Sequence, residues 1–392
     1  MHGDGRGLLL VAASFDARGG LQRRLENVAA LAADQGPATV LTWRRGLKWS
    51  RERRADGVEV IRLPAVAGWE RDHGRALALA NTAVSVALGT VAALLLRRRW
   101  HVAFAGGLNP EGVVAGIAAR LLARPFVLRT WLPGPFGNVA RLERSPLAPL
   151  LRRLLAAASA LLAETEEMAD ELIAAGFDPT RIVILDTGLD LAPFTAPTTE
   201  ARRAAREELG LAGDGIVVYC GRFDLRQKRL DLLLAAWERA DLAGWQLVLV
   251  GDGPDRQYLE DRARATPGVL TRPWTDDVSP FLVSADAVVL PTRAEGNAAG
   301  LLEALACGLP TVVSATAMYR RLSAPGTLVV DDVDEWAGAL RKLAADPGLR
   351  EELGRAGRQW VESHHDTELA RRRLTALLGY PEPEEGSVRP VR

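Results

Sequence analysis

Two acidic and two basic side chains in the second half of the chain make the clearest chemical suggestion. In RAEGNAAGLLEALACG, Arg293 to Gly308, Glu295 and Glu303 stand eight residues apart across an uncharged run of Gly296, Asn297, Ala298, Ala299, Gly300, Leu301 and Leu302. The run follows the apolar VVLPT and reads as a loop entering a helix from Asn297 onward. A helix start offers unpaired N–H groups and the positive end of a dipole, which together suit an anion. Glu295 then lies in the loop, and Glu303 about two turns into the helix, where a carboxylate can accept from both hydroxyls of a vicinal diol. An internal Arg or Lys partner for Glu303 accounts for the spacing equally well.

Upstream, YCGRFDLRQKRLD puts Gly221, Arg222 and Lys228 just past an apolar run. Glycine lets backbone approach a ligand, and Arg and Lys supply a fork and a point charge for phosphate oxygens. Solvated surface is the competing reading. A second loop, LVGDGPDRQYLED, lacks the third glycine of a dinucleotide fingerprint, since Pro254, Asp255 and Arg256 follow Gly251 and Gly253. A nicotinamide site is therefore disfavoured. In the first half, ARGGLQRRLENVAALA sets Gly19 and Gly20 in the first strand-to-helix loop, for a tight turn or for close approach to a ligand.

The elements that must position these residues alternate along the chain. GLLLVAAS precedes a helix over Leu21–Gln35, then come ATVLTW, VEVIRLPAV, HVAFAG and PFVLRTW, with a long Ala/Leu/Arg helix expected from Leu147 to Ala163. After the Pro/Thr/Gly-rich stretch DTGLDLAPFTAPTTEA the alternation restarts with GIVVYCGR, WQLVLVGDG, GVLTRPW, ADAVVLPT and PTVVSAT. Strands alternating with helices of such length indicate βαβ units and parallel sheets. The fold class expected is α/β, with two Rossmann-like parallel-sheet domains facing a cleft. Residues 1–190 are expected to form an N-terminal domain and residues 191–365 a C-terminal one. A last helix, about 366–380, crosses back to the first domain, and residues 381–392 read as a disordered tail. In open α/β sheets ligands bind at the carboxyl ends of strands.

Composition narrows the class further. With 392 residues the chain is long enough for two cores. Its 49 basic and 49 acidic side chains cancel, which argues against a nucleic-acid partner. Two cysteines, Cys220 and Cys307, make no disulfide framework, and five histidines show no metal-ligand spacing. ALALANTAVSVALGTVAALLL, Ala76 to Leu96, approaches the length of a membrane span and is followed by Arg97, Arg98 and Arg99. Its alanines and its Asn81, Thr82, Ser85 and Thr90 favour a small-residue core helix buried all round. WRRGLKWSRERR, Trp43 to Arg54, gathers five arginines, a lysine and two tryptophans. It reads as a solvated loop, or as a peripheral contact with an anionic membrane or acceptor. Cytoplasmic localisation follows, at most peripheral at the inner membrane face.

The segments GRFDLRQKRLDLLLAAW, VGDGPDRQYLED, RAEGNAAGLLEALACGLPTVVS and ILDTGLDLAPF resemble those of family-4 glycosyltransferases, also called group 1, retaining enzymes of the GT-B fold. The resemblance covers most of Leu161 to Val330 and reaches the GG loop. It implies transfer of a sugar from a nucleotide-diphosphate sugar to an acceptor such as a small metabolite, a lipid-linked glycan or a cell-envelope glycan. It also implies that residues 1–190 are the acceptor-side domain and residues 191–365 the nucleotide-sugar-binding one. Glu295 and Glu303 match the E-x7-E motif, the first contacting the donor sugar and the second the ribose hydroxyls. Arg222 and Lys228 match the basic pair on the diphosphate. Gly20 matches the loop that closes over it, and the amides from Asn297 to Leu301 match the contacts to sugar and distal phosphate. No metal and no further cofactor is expected.

Three departures accompany the match. Trp131 and Leu132 stand where the family commonly has a histidine, Lys228-Arg229 replaces the usual Lys-Gly, and AMYRR replaces a G-G-x-P-E segment. A sugar-nucleotide epimerase of the same fold and a non-catalytic sugar-nucleotide-binding partner protein are the alternatives.

Overall fold

The computed structural model describes residues 6–15, 20–45, 48–65, 75–185, 191, 193–296, 298–365 and 367–381. The chain divides into two compact units, residues 1–188 with 367–392 and residues 189–366.

Unit 1 is built from β1 (Leu8–Val11), α1 (Gly20–Gln35), β2 (Ala38–Arg45), β3 (Ser50–Arg53), β4 (Glu59–Ala65), α2 (Arg75–Leu95), β5 (Val102–Ala105), α3 (Glu111–Leu122), β6 (Phe126–Arg129), α4 (Asn138–Glu143), α5 (Ala148–Leu155), β7 (Ala160–Ala163), α6 (Glu166–Ala174) and β8 (Ile182–Ile184). Its strands run in the order β3-β4-β2-β1-β5-β6-β7-β8. All pair in parallel except β3, which is antiparallel to β4. Strand geometry sends alternate residues to opposite faces. Leu8 and Leu10 thus join the core under α1, while Leu9 and Val11 join the core under α2, α3, α5 and α6.

Unit 2 follows with α7 (Thr199–Leu209), β9 (Gly215–Cys220), α8 (Leu225–Lys228), α9 (Leu230–Ala240), β10 (Trp245–Val250), α10 (Arg256–Ala265), β11 (Val269–Arg272), α11 (Ser279–Ser284), β12 (Ala287–Leu290), α12 (Ala299–Ala306), β13 (Thr311–Ser314), α13 (Ala317–Leu322), β14 (Thr327–Val330), α14 (Val333–Ala345) and α15 (Pro347–His364). Its order β11-β10-β9-β12-β13-β14 is wholly parallel, and it reverses direction between β9 and β12. Such a reversal leaves a crevice at the strands' carboxyl ends. In unit 1 the equivalent reversal falls between β1 and β5.

A final helix, α16 (Thr367–Leu377), belongs to unit 1. Leu374, Leu378 and Tyr380 fill the core beside Leu25, Val28 and Ala29 of α1, and Arg371 reaches Asp34 at 3.1 Å.

Four expectations need correction. The helix from Leu147 stops at Leu155, and ALLA is strand β7 instead. Buried on both faces, a parallel strand shows no alternation, so its Ala/Leu run looks helical. Helix α2 is not buried all round: Asn81, Ser85, Gly89 and Ala93 face inward, whereas Val84, Leu88, Val91 and Leu95 are exposed. The segment Trp43 to Arg54 is not one loop. Trp43 is buried in β2, Ser50 to Arg53 form β3, Trp49 is exposed, and Gly46 and Leu47 lie outside the described residues. Finally, α12 opens at Ala299 rather than Asn297, so Glu303 lies just over one turn in.

Candidate functional site

In unit 2 the loops after β9 and β12 meet at the sheet's reversal. Past β9, Asp224 caps α8 by accepting from the amides of Arg226 and Gln227, which presents Lys228 at the end of a single turn. Past β12, the loop carrying Glu295 is tied to that turn. The Arg293 amide donates to the Gln227 carbonyl at 2.8 Å, and Gln227 Nε2 donates to the Ala294 carbonyl at 3.2 Å. Thr292 Oγ1 donates to the Ala294 carbonyl at 2.8 Å.

This clasp brings Lys228 Nζ to 2.6 Å from Glu295 Oε2, with the two side chains 19% and 20% exposed. The pair is therefore partly desolvated yet open to exchange its partner. Burial, and after it the negative charge of Glu295, push the phenols of Tyr219 and Tyr319 well above their ordinary range. Both stay protonated beside the carboxylate, and the Tyr219 hydroxyl donates to the Arg222 carbonyl at 2.9 Å.

Helix α12 begins beside this loop and runs inward. The amides of its first turn, at Ala299, Gly300 and Leu301, have the polarity that receives an anion. Glu303 is buried on the same helix. Its charge, after burial itself, raises the Cys220 thiol, and it helps burial push the Cys307 thiol up to about 12. The helix ends at Gly308, whose φ of +67° is the left-handed conformation that glycine adopts without strain. Its amide and that of Leu309 donate to the Leu305 and Ala304 carbonyls.

Close backbone contact at the reversal explains one of the Gly loops. A Cβ on Gly251 would lie 1.9 Å from the Gly221 carbonyl oxygen, so β9 and β10 leave the sheet side by side only with glycine there. Arg222 itself points elsewhere: its side chain is mostly exposed, with Nε 3.9 Å from Asp224 Oδ2. The structure thus joins Lys228, Glu295 and the start of α12, and leaves Arg222 outside that cluster. Arg229 holds φ at +45°, the conformation for which the usual glycine is suited. The replacement costs roughly 1 kcal/mol.

Gly20 opens α1, while Gly19 and Asn297 lie outside the described residues, as do the linker's Asp186–Asp190. Sequence reasoning missed the polar groups of unit 1. Glu164, just past β7, holds Arg24 of α1 at 2.5 Å and also Arg129 at the end of β6, and all three side chains are almost fully buried. Glu111 at the start of α3 accepts from the Ala13 amide at 3.1 Å, and burial raises its carboxyl above the ordinary range. The signal available was a charge closing two of the apolar strand runs, as in FVLR and LLAE. Trp131, one of the residues in place of the expected histidine, donates its amide to Asn138 Oδ1 at 3.1 Å, and Leu132 is buried. Among the described residues no cluster of three or more His, Cys, Asp or Glu side chains is arranged to hold a metal ion. No helix among them is long and apolar enough to cross a membrane.

Two parallel sheets, one with an added antiparallel edge strand and each reversing its strand order once, are the sheets of a GT-B fold. Solved structures bear this out across 95% of the chain. Anabaena HepE in complex with UDP and glucose superposes with a TM-score of 0.76 at 16% identity, covering 99% of that chain. Sucrose-phosphate synthase from Thermosynechococcus elongatus gives a TM-score of 0.74 at 20% identity, covering 98% of its chain. The glycosyl transferase 4-like domain model matches residues 19–188, and the glycosyl transferases group 1 model matches residues 214–346. The chain belongs to the group 1 glycosyltransferases.

Among curated relatives, the D-inositol 3-phosphate glycosyltransferase of Kribbella flavida is 34% identical over 236 residues, 54% of each chain. The GDP-mannose-dependent monoacylated alpha-(1-6)-phosphatidylinositol monomannoside mannosyltransferase of Corynebacterium glutamicum is 32% identical over 212 residues, 50% of this chain and 55% of that one. The chain spans about half the length of the curated relatives it matches.

Proposed function

We propose that the protein is a retaining, metal-independent glycosyltransferase that moves a sugar from a nucleotide-diphosphate sugar to a hydroxyl acceptor in the cytoplasm. The observation that carries this reading is the Lys228–Glu295 pair, clasped at the reversal point beside the start of α12. HepE, which shares the fold, binds UDP and glucose. That supports a nucleotide-sugar donor here.

Lys228 Nζ and the α12 amides meet the diphosphate, with Glu295 orienting the sugar once Lys228 exchanges its carboxylate for phosphate. Glu303, one turn deeper, accepts from the ribose hydroxyls. The bond between the anomeric carbon and the diphosphate oxygen breaks, and one from that carbon to the acceptor oxygen forms on the same face. The acceptor's proton passes to the departing phosphate. Charge develops on the diphosphate as it leaves, where Lys228 and the amides are already aimed, and such preorganised groups are worth roughly 3–4 kcal/mol each. Arg222 joins them only by turning in from its exposed position.

The test is nucleotide release from a panel of nucleotide sugars. Acceptors suggested by the relatives' names come first: an inositol phosphate, then a phosphatidylinositol glycolipid. Release with one donor, retention of anomeric configuration in the product and its loss in Glu295→Ala are the expected results. Tight nucleotide binding with no release from any donor would mean a non-catalytic sugar-nucleotide binder.

A further inference from the structure

Every exposed position described on α2, from residue 80 to residue 95, is Ala, Val or Leu. Val84, Leu88, Val91 and Leu95 recur at intervals of four, three and four. At 100° per residue they fall within about 60° of arc, a single stripe. The opposite, inward face carries Asn81, Ser85, Gly89 and Ala93. Val86, Ala92 and Leu96 also pack against the core, so the helix is apolar outside as well as inside, unlike an ordinary surface helix whose outer face is polar. Small residues inside let α2 press against its neighbours: a Cβ on Gly89 would meet Val114 of α3 at 2.9 Å and Trp43 of β2 at 3.0 Å. Side chains outside have no such explanation, with Val91 55% and Leu95 74% exposed.

The adjoining layer continues the pattern. Helix α3 packs on α2 and α5 on α3, on the same face of the sheet. Leu121 on α3, Leu147 just before α5 and Leu150 on α5 are exposed as well. Together with the α2 stripe these are seven of the thirteen exposed large apolar side chains among the described residues, so the concentration is local. Patches of this kind on a soluble domain mark a binding surface.

Charge selects the occupant. Exposed charges on α2, α3, α5 and the turn after α2 are all arginines: Arg97, Arg98, Arg99, Arg120 and Arg153. Glu111, the one acid on the described parts of these helices, is buried. A second copy docked face to face by two-fold symmetry would set this cationic rim against itself. Anionic headgroups around a hydrocarbon boundary match both features at once. The acidic α6, with Glu166, Glu167, Asp170 and Glu171, packs over β7 and β8 in the same core cluster.

We propose that the outer face of α2, with the adjoining surfaces of α3 and α5, is a docking surface for an anionic lipid bilayer. The helix lies flat in the headgroup region with its stripe facing the hydrocarbon. Arg97 and Arg98 sit at one end of the helix, where they contact lipid phosphate, while Arg99 is held by Glu59 at 2.5 Å.

The experiment is co-sedimentation of the full chain with vesicles of phosphatidylcholine alone and of phosphatidylcholine with phosphatidylglycerol. Binding to the anionic vesicles is expected, weakening as salt rises. The double variant Val91→Glu, Leu95→Glu should lower partitioning at least about tenfold, because it removes apolar burial and adds repulsion. Arg97→Glu with Arg98→Glu should lower it by about the same factor. Unchanged unfolding temperatures confirm that these exposed substitutions leave the fold intact. Trp49→Ser tests the other candidate surface and should change partitioning less than about twofold. Equal binding of wild type and both variants would overturn the proposal, as would loss of binding in Trp49→Ser alone. Self-association of the wild type, abolished by Val91→Glu, Leu95→Glu, would also overturn it in favour of a second copy. None of these readouts needs turnover, so they stand or fall apart from the transfer chemistry.

Discussion

The two sheets reverse their strand order in the same way, yet the carboxylates at the two reversals differ. In unit 1, Glu111 bridges the β1 and β5 edges with one oxygen on the Ala13 amide, buried and with a raised carboxyl. In unit 2, Glu295 bridges the β9 and β12 edges through Lys228 and remains partly exposed. The first carboxylate is buried and held by an internal partner, the Ala13 amide. The other belongs to a charge pair whose members can be re-partnered by an incoming anion. A shared topology therefore fixes where chemistry can sit, while burial decides whether a charge there is structural or exchangeable.

The largest expected effect breaks the buried side of that comparison. Glu164→Ala leaves Arg24 and Arg129 inside unit 1 without the carboxylate that holds both. A loss of about 3–5 kcal/mol in urea unfolding is expected, since removing one partner of a buried ion pair is costly. A change under about 1 kcal/mol would show the triad to be dispensable.

Lys228→Ala addresses the exchangeable side. Because the pair with Glu295 is partly solvated, stability should stay within about 1 kcal/mol of wild type. Nucleotide release should nevertheless fall by about 10²–10³-fold, the usual cost of one well-aimed donor. If stability fell instead and turnover did not, the pair would be a structural staple like its counterpart in unit 1.

Glu111→Gln gives the smallest and most pointed signal. The folded-state carboxyl titrates above the unfolded one, so at low pH both states are protonated and nothing is lost. As pH rises through the ordinary carboxyl range the unfolded state ionises first, and stability declines until the folded group ionises too. Glutamine keeps the bond from Ala13 without that titration. The variant should therefore melt a few degrees above wild type at neutral pH, on the order of 1 kcal/mol, with the gap closing as pH falls. A pH-independent difference would mean that Glu111 is already ionised in its crevice.

How legible each part was follows from the reach of its contacts. Glu295, Gly296 and Glu303 fall within one loop and one helix, so their closeness could be read from spacing. Lys228 is 67 residues from Glu295, but the order of Gly loops after apolar strands announced that both lie at carboxyl ends of strands. The Arg24–Glu164–Arg129 cluster joins positions 140 and 35 residues apart on α1, β6 and the end of β7. Only the strand order brings those together, and no local pattern encodes it. The Ala/Leu run of β7 and the apolar outer face of α2 were hidden for another reason. Hydropathy counts apolar residues without saying what covers them, and here one run is covered on both faces and the other is bare on one. Arg222 was placed correctly along the chain, but its side chain turns outward, a rotamer choice that the residue type alone cannot fix.

The return of α16 has a consequence for how the molecule is made. Leu374, Leu378 and Tyr380 complete a core whose first members, Leu8 and Leu10, emerge from the ribosome more than 350 residues earlier. Unit 2 is thus an insertion within unit 1, and all its strands and helices have been synthesised before the earlier-born core can close. For most of translation the nascent first sheet lacks its last covering helix. Until then the core that holds Leu25, Val28 and Ala32 of α1 lacks Leu374, Leu378 and Tyr380.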